Sequence, residues 1–188
     1  MLKKEARRLF RAQRLGLSEG QRMKFDDLLL IQFQQLELPF LQTVLSYYPA
    51  DDKGEINTFI LTDYLRFRHP GLEIAYPRTH ASQYGMDALV AEPESFRPNP
   101  YGIPEPEEGQ TVLPEALDLV LVPMIICDRS GNRVGYGKGY YDRFLQQCRP
   151  DCLKVGLSYF EPVDRIDDAH EFDVPLDFCI CPQKTYVF

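Results

Sequence analysis

Apolar positions along the chain follow two periods, and the switches between them mark the elements. Leu2 to Leu15 reads as a helix whose Ala6, Leu9 and Phe10, with Leu17 just beyond, face a core at helical spacing. Ser18 starts a second helix, and with Gln21 it fits a capping box. Met23, Phe25, Leu28, Leu29, Ile31, Phe33 and Leu36 carry that helix towards Pro39. Thr43 to Tyr48 then reads as a buried strand ended by Pro49. After the loop PADDKGEINT, Asn57 is placed to cap a helix running to about Phe67. Leu72 to Tyr76 is a short strand ending at Pro77-Arg78, and Met86 to Glu92 is another that pairs with it as a hairpin.

The second half begins with RPNPYGIPEPEEGQT, Arg97 to Thr111, a long Pro- and Gly-rich loop of the kind that is often functional. Leu117 to Val122 is the clearest buried strand, and Met124 to Asp128 continues as an extended segment. Ser130-Gly131-Asn132 is turn chemistry. Tyr140 to Cys148 predicts a helix with Tyr141, Phe144, Leu145 and Cys148 on its apolar face. Leu153 to Tyr159 is a strand, Asp164 to Asp173 an acidic connection, and Phe178 to Cys181 a last strand opened by Asp177. Thr185 to Phe188 reads as a short tail. Strands alternating with helices predict an α/β domain, residues 1–188 in one unit, with a largely parallel sheet covered on both faces.

Composition narrows the function classes. The chain of 188 residues carries a net charge of −7, which argues against a nucleic-acid partner. No apolar run approaches membrane-spanning length. Five cysteines without a CxxC pair predict reduced thiols in a cytoplasmic protein, and Cys179 and Cys181 share one strand face. Three histidines without HxxxH-type spacing give no zinc site. Against this acidic background the first helix stands out: Lys3, Arg7, Arg11 and Arg14 line one face, and cations there oppose the helix dipole. That placement suggests an anionic ligand. A solvated basic face is the plain alternative, and Glu5 with the direct run into a second helix argues against a transit peptide.

The chain is organised around GNRVGYGKGYYDRFL, Gly131 to Leu145. Gly135, Gly137 and Gly139 alternate, Arg133 and Lys138 supply positive charge, and a helical pattern follows. Such a loop lets backbone N–H groups approach phosphate. It is not a Walker A loop, since Asn132 and Gly139 stand where that motif needs Gly and Ser or Thr. Lys138 can neutralise phosphate oxygens in phosphoryl transfer. Asp142, near the helix start, could hold Mg²⁺, which takes hard oxygen ligands. KGYYDRF superficially resembles an RNA-recognition strand, but the acidic net charge and the lack of a second aromatic strand oppose that reading. Glu55, beyond the end of a strand, lies where open α/β sheets bind ligands.

NRVGYGKGYYDRFL resembles the signature of the 5-formyltetrahydrofolate cyclo-ligase family. Lys3 with Arg7, GEINT with Glu55, YGIPEP at Tyr101 to Pro106, LDLVLVP at Leu117 to Pro123 and DVPLD at Asp173 to Asp177 extend the resemblance over essentially the whole chain. The resemblance implies a three-layer α/β/α sandwich and ATP-driven conversion of 5-formyltetrahydrofolate to 5,10-methenyltetrahydrofolate, with Mg²⁺. It implies that Lys3, Lys4, Glu5, Ala6 and Arg7 bind ATP, together with Arg133, Val134, Gly135, Tyr136, Gly137, Lys138, Gly139, Tyr140 and Tyr141. Lys138 and Arg133 take the catalytic roles. Ala50, Glu55, Met86 and Tyr101, with Tyr136 to Tyr140, meet the folate, and Asp142 and Asp177 hold the metal. Tyr101 stands where relatives often carry Phe or Trp, and Cys181 where they usually carry Thr. The partners implied are small molecules only, with the enzyme a cytoplasmic monomer. A non-catalytic folate or nucleotide binder, or a kinase of another small molecule, are the competing readings.

Overall fold

The computed structural model describes residues 1–80 and 85–188. Among the described residues four α-helices, α1 (Lys3–Leu15), α2 (Glu19–Gln34), α3 (Phe59–Arg68) and α4 (Tyr140–Leu145), accompany a central sheet. The first half supplies β1 (Thr43–Leu45), β2 (Glu73–His80) and β3 (Gly85–Val90), followed by β4 (Phe96–Pro98), β5 (Pro104–Pro106) and β6 (Gln110–Val112). The second half supplies β7 (Leu119–Val122), β8 (Ile126–Cys127), β9 (Arg133–Val134), β10 (Leu153–Leu157), β11 (Phe178–Ile180) and β12 (Thr185–Val187). Eight strands form the main sheet in the order β12-β11-β10-β7-β1-β2-β3-β6. The run from β11 to β2 is parallel, and β12, β3 and β6 add on antiparallel.

Every residue of β7 is buried, as a strand covered on both faces requires. Its side chains alternate between two cores. Leu119 and Leu121 join Leu29 and Phe33 of α2 and Leu61 and Leu65 of α3. Val120 and Val122 join Phe144 and Leu145 of α4 on the opposite face. These are the three layers that the α/β pattern predicts. Cys179 and Cys181 lie in that second core with Sγ atoms 3.8 Å apart, so they do share a face. The Ser18 capping box forms as expected, Ser18 Oγ accepting from Gln21 N and Gln21 Oε1 from Ser18 N. Asn57 acts at α3 through its side chain, which accepts from Phe59 N at 3.1 Å.

Four expectations need correction. Pro77 does not end its strand: β2 runs on to His80. Ala75 accepts from Ser46 N on the β1 side, and Pro77, two residues on, points the same way past the end of that pairing. Its missing N–H therefore removes no ladder bond. The 97–111 stretch is not free loop, because β4 pairs with β5 and β6 joins the main sheet through β3. The final residues are a strand, β12, antiparallel to β11. Among the helix positions assigned to the core, Leu9, Met23 and Ile31 are exposed, whereas Arg14 is buried. α1 lies against the β8–β9 hairpin, and a core of Ala6, Phe10, Ile125, Ile126, Val134 and Ile166 holds it there.

Candidate functional site

A cavity of about 400 Å³ opens beyond the carboxyl ends of β1 and β7. Strand β1 delivers Tyr47, Tyr48 and the following turn to Glu55, and β7 delivers Pro123. The amino-terminal half of α1 closes one side and the loop from β9 into α4 another. A parallel sheet leaves this end open because connections diverge to the two helical layers, which is why α/β ligands bind there.

The glycine loop forms one wall. Gly137 and Gly139 adopt positive φ, +96° and +69°, which side chains rarely tolerate. A Cβ on Gly137 would stand 3.4 Å from the Arg7 guanidinium, whose Nε donates to Gly135 O at 2.8 Å. Arg143 donates to Lys138 O at 2.8 Å, bracing the same backbone from the other side. The Lys138 side chain is left for other work: it is exposed, its ammonium lies 5.7 Å from the Tyr101 ring centroid, and it has no ion pair among the described residues. Arg133 is different. It is buried, donates to the Val174 carbonyl, and pairs with Asp142 Oδ1 at 2.7 Å. Val174 N donates to that same oxygen at 3.1 Å. Arg133 thus ties the loop, α4 and the 173–174 segment together.

Lys3 and Asp173 both reach the cavity and pair at 2.6 Å. Burial by itself would raise the Asp173 carboxyl; bonds from Lys3 and from the His170 N–H outweigh it and hold Asp173 below the usual carboxylate range. At the opposite end each oxygen of Glu55 accepts one bond. Its Oε2 accepts from Ala50 N at 2.8 Å and its Oε1 accepts from the Tyr136 hydroxyl. Tyr136 in turn accepts from Arg14 at 2.8 Å, and Arg14 also donates to the carbonyls of Lys53 and Met124. Burial, then the charge of Glu55, pushes the Tyr136 phenol up, so it stays a proton donor. Tyr47 is pushed up by the same two causes, and burial does the same to Tyr141. The Tyr141 hydroxyl is buried without a hydrogen-bond partner among the described residues.

The structure therefore brings Lys3, Arg7, Glu55, Tyr101, Arg133, Asp142 and the loop Gly135–Tyr141 to one cavity. It leaves others outside. Lys4 points to solvent, Glu5 caps the helix by accepting from Leu2 N, and Ala6 and Val134 are core. Ala50 acts through its N–H on Glu55 rather than by lining the cavity. Met86 packs in the α4-side core. Asp177 is not brought beside Asp142: its Oδ2 accepts from Lys154 N and Nζ, locking β11 against β10. Sequence reading missed Arg14 as a buried clamp, Asp173 as a cavity carboxylate, and the Thr79–Asn99–Glu105 cluster on the far wall. Asp173 and Glu105 sat inside quoted motifs; Thr79 left no signal, being brought in only by the continuation of β2.

Fold and site define a class of three-layer α/β sandwich that sets a cationic glycine loop and an anchored glutamate in one cavity. Comparison with known proteins narrows it. The profile of the 5-formyltetrahydrofolate cyclo-ligase family matches residues 2–182. A 5-formyltetrahydrofolate cyclo-ligase of Haemophilus influenzae is 31% identical over 139 residues, 72% of this chain and 73% of that protein. One from Escherichia coli is 33% identical over 139 residues, 71% of this chain and 75% of the relative. The solved 5,10-methenyltetrahydrofolate synthetase of Aquifex aeolicus superposes with a TM-score of 0.80 at 29% identity, covering 100% of this chain and 93% of that one. That of Mycoplasma pneumoniae shares the fold, with a TM-score of 0.75 at 24% identity, covering 96% of this chain and 98% of that one. The chain belongs to the 5-formyltetrahydrofolate cyclo-ligase family.

Proposed function

We propose that this chain cyclises 5-formyltetrahydrofolate to 5,10-methenyltetrahydrofolate with ATP and Mg²⁺. The observation that carries the reading is one cavity that holds Lys138 of the glycine loop and Arg7 of α1, neither in an ion pair among the described residues, together with a glutamate pinned at the other end. A formamide carbonyl is a poor electrophile. Attack of the formyl oxygen on the γ-phosphorus of ATP releases ADP and turns that oxygen into a leaving group. N10 then attacks the formyl carbon, inorganic phosphate departs with the oxygen, and N10 loses its proton. Lys138 stabilises the transferring phosphoryl group, with Arg7 and Lys3 around the nucleotide phosphates. Arg133 orients the loop through Asp142. Glu55 takes the N–H edge of the pterin, where a carboxylate accepts paired hydrogen bonds.

Mg²⁺ fits beside Asp142, whose Oδ2 makes no hydrogen bond among the described residues while Oδ1 is held by Arg133 and Val174. No cluster of three or more acidic, His or Cys groups able to hold a metal occurs among the described residues. That suits an ion that keeps one carboxylate and takes its other oxygens from phosphate and water. Bound there, Mg²⁺ would neutralise phosphate charge. Asp142→Asn should raise the Mg²⁺ concentration needed for half-maximal rate several-fold; an unchanged Mg²⁺ titration removes Asp142 as a ligand. No helix among the described residues is long and apolar enough to cross a membrane, and the free thiols suit a reducing cytoplasm, where we place the enzyme as a monomer.

The test is direct. Purified protein, 5-formyltetrahydrofolate and MgATP are mixed and the near-ultraviolet absorbance of the methenyl product is followed. ATP-dependent product supports the reading; no product from folded protein that still binds ATP rejects it.

A further inference from the structure

Tyr101 stands at the tip of a hairpin whose own ladder is poor. Strands β4 and β5 pair Phe96 with Pro106, Arg97 with Glu105 and Pro98 with Pro104, so Pro98, Pro104 and Pro106 offer no N–H. At the base, Phe96 packs against Tyr48 and Tyr76, with ring centroids 5.9 and 5.2 Å away. At the tip, side chains take over. Asn99 Oδ1 accepts from Tyr101 N at 2.8 Å and from Ile103 N at 3.1 Å. Because two N–H groups meet Oδ1, Nδ2 faces the other way, and it donates to Glu105 Oε1 at 2.8 Å. Glu105 Oε2 accepts from Thr79 N at 3.0 Å, and the Thr79 hydroxyl donates to the same carboxylate. Thr79 N points past the end of β1, as Pro77 does, to the edge of β2 that β1 leaves open. A chain of bonds thus runs from the main sheet through Glu105 and Asn99 to the backbone of Tyr101.

Given the folate reading of the cavity, on which this rests, we propose that Glu105 is a positioning residue: through Asn99 it holds the 99–103 turn so that the Tyr101 ring is set in advance as a wall for the folate beside Lys138. Glu105 lines the cavity, as do Thr79 and Asn99. It is not itself the substrate's ligand, because one oxygen is committed to Asn99, the other to Thr79 N, and the Thr79 hydroxyl lies against both. What is left to meet the substrate is Tyr101, 49% exposed, with the Lys138 ammonium 5.7 Å from its ring centroid. Breaking the strut leaves the aromatic base of the hairpin in place and frees the tip. The ring must then be ordered on binding, and the lost pre-organisation weakens affinity.

The experiment measures the dissociation constant of 5-formyltetrahydrofolate, without ATP, for the wild type, Glu105→Gln, Asn99→Asp and the double variant. Glutamine at 105 sets its NH₂ against either the Thr79 N–H or the Asn99 NH₂, and aspartate at 99 sets a second carboxylate against Glu105. Each single change should weaken folate binding about tenfold. In the double variant the glutamine NH₂ donates to the aspartate, whose other oxygen still takes Tyr101 N and Ile103 N. Net charge is then unchanged, and affinity should return to within about twofold of wild type. In a Tyr101→Ala background, Glu105→Gln should change folate binding by less than about twofold, since the strut acts through that ring. ATP affinity, measured separately, should stay within about twofold throughout, as expected of a site the strut does not brace. Single variants that melt lower yet bind folate as the wild type does overturn the proposal, leaving the strut a structural brace. So does a folded double variant that stays weak, a tenfold effect that persists without Tyr101, or ATP affinity that falls in step with folate. Wild-type protein that binds no 5-formyltetrahydrofolate instead overturns the folate reading beneath it.

Discussion

Lys138→Ala is expected to lower the rate of methenyl formation by about 10³-fold or more with the melting temperature unchanged. Both halves follow from where the residue sits. Its backbone is held without its side chain, by the Arg143 bond to its carbonyl and by the positive-φ glycines on either side. The side chain's ammonium lies over the Tyr101 face, a contact of roughly 0.5–1 kcal/mol at an exposed site. Exposed substitutions of this kind usually change stability by less than about 0.5 kcal/mol. Phosphoryl transfer, in contrast, offers the protein little to do beyond positioning and charge. Removing one preorganised donor from such a site typically costs 10²–10³ in rate, and a dedicated cation is worth about 10³–10⁵. A single-turnover measurement at saturating ATP isolates the step. A near-normal rate there would take Lys138 out of the mechanism and leave Arg7, which lines the cavity beside Gly137, as the next cation to test.

The same residue shows how far sequence reading reaches. The loop was legible because its chemistry is contiguous: glycines, cations and carboxylate fall within Gly131 to Leu145, and the structure gathers Arg133, Gly135–Tyr141 and Asp142 on one wall. Periodicity likewise anticipated the buried β7 and the amphipathic α1. What it could not read is anything decided by partners distant in sequence. Arg14 continues the stripe of Lys3, Arg7 and Arg11, yet it is buried because three acceptors, the carbonyls of Lys53 and Met124 and the Tyr136 hydroxyl, converge on it from other segments. Leu9 reads as core and is exposed because α1 packs on the β8–β9 hairpin rather than on the main sheet. Asp142 and Asp177 look alike as carboxylates opening an element. Each keeps one oxygen without a hydrogen bond among the described residues, but only Asp142 lines the cavity; Asp177 is held by Lys154 at the seam of β10 and β11. Propensity demoted Pro77, and the register of β1 against β2 overruled it.

Glu55→Gln should raise the dissociation constant of 5-formyltetrahydrofolate by about 10²-fold and leave that of ATP within twofold. The carboxylate serves two donors in the free protein, Ala50 N and the Tyr136 hydroxyl, and in the proposed complex a third, the N–H edge of the incoming pterin. Glutamine keeps the shape but has one acceptor oxygen, and its NH₂ must face either Ala50 N or Tyr136. Hydrogen bonds to a charged acceptor are worth about 1.5–3 kcal/mol, and a loss of about 2.7 kcal/mol, near the top of that range, corresponds to the expected factor. Arg14 adds a second penalty. Its charge is balanced through Tyr136 by Glu55, and the neutral amide leaves a buried guanidinium without that compensation. The two variants separate the two ends of the cavity. If Glu55→Gln weakened ATP and folate alike, the turn would be bracing the whole cleft and the pterin anchor would have to be sought on the Thr79–Glu105 wall.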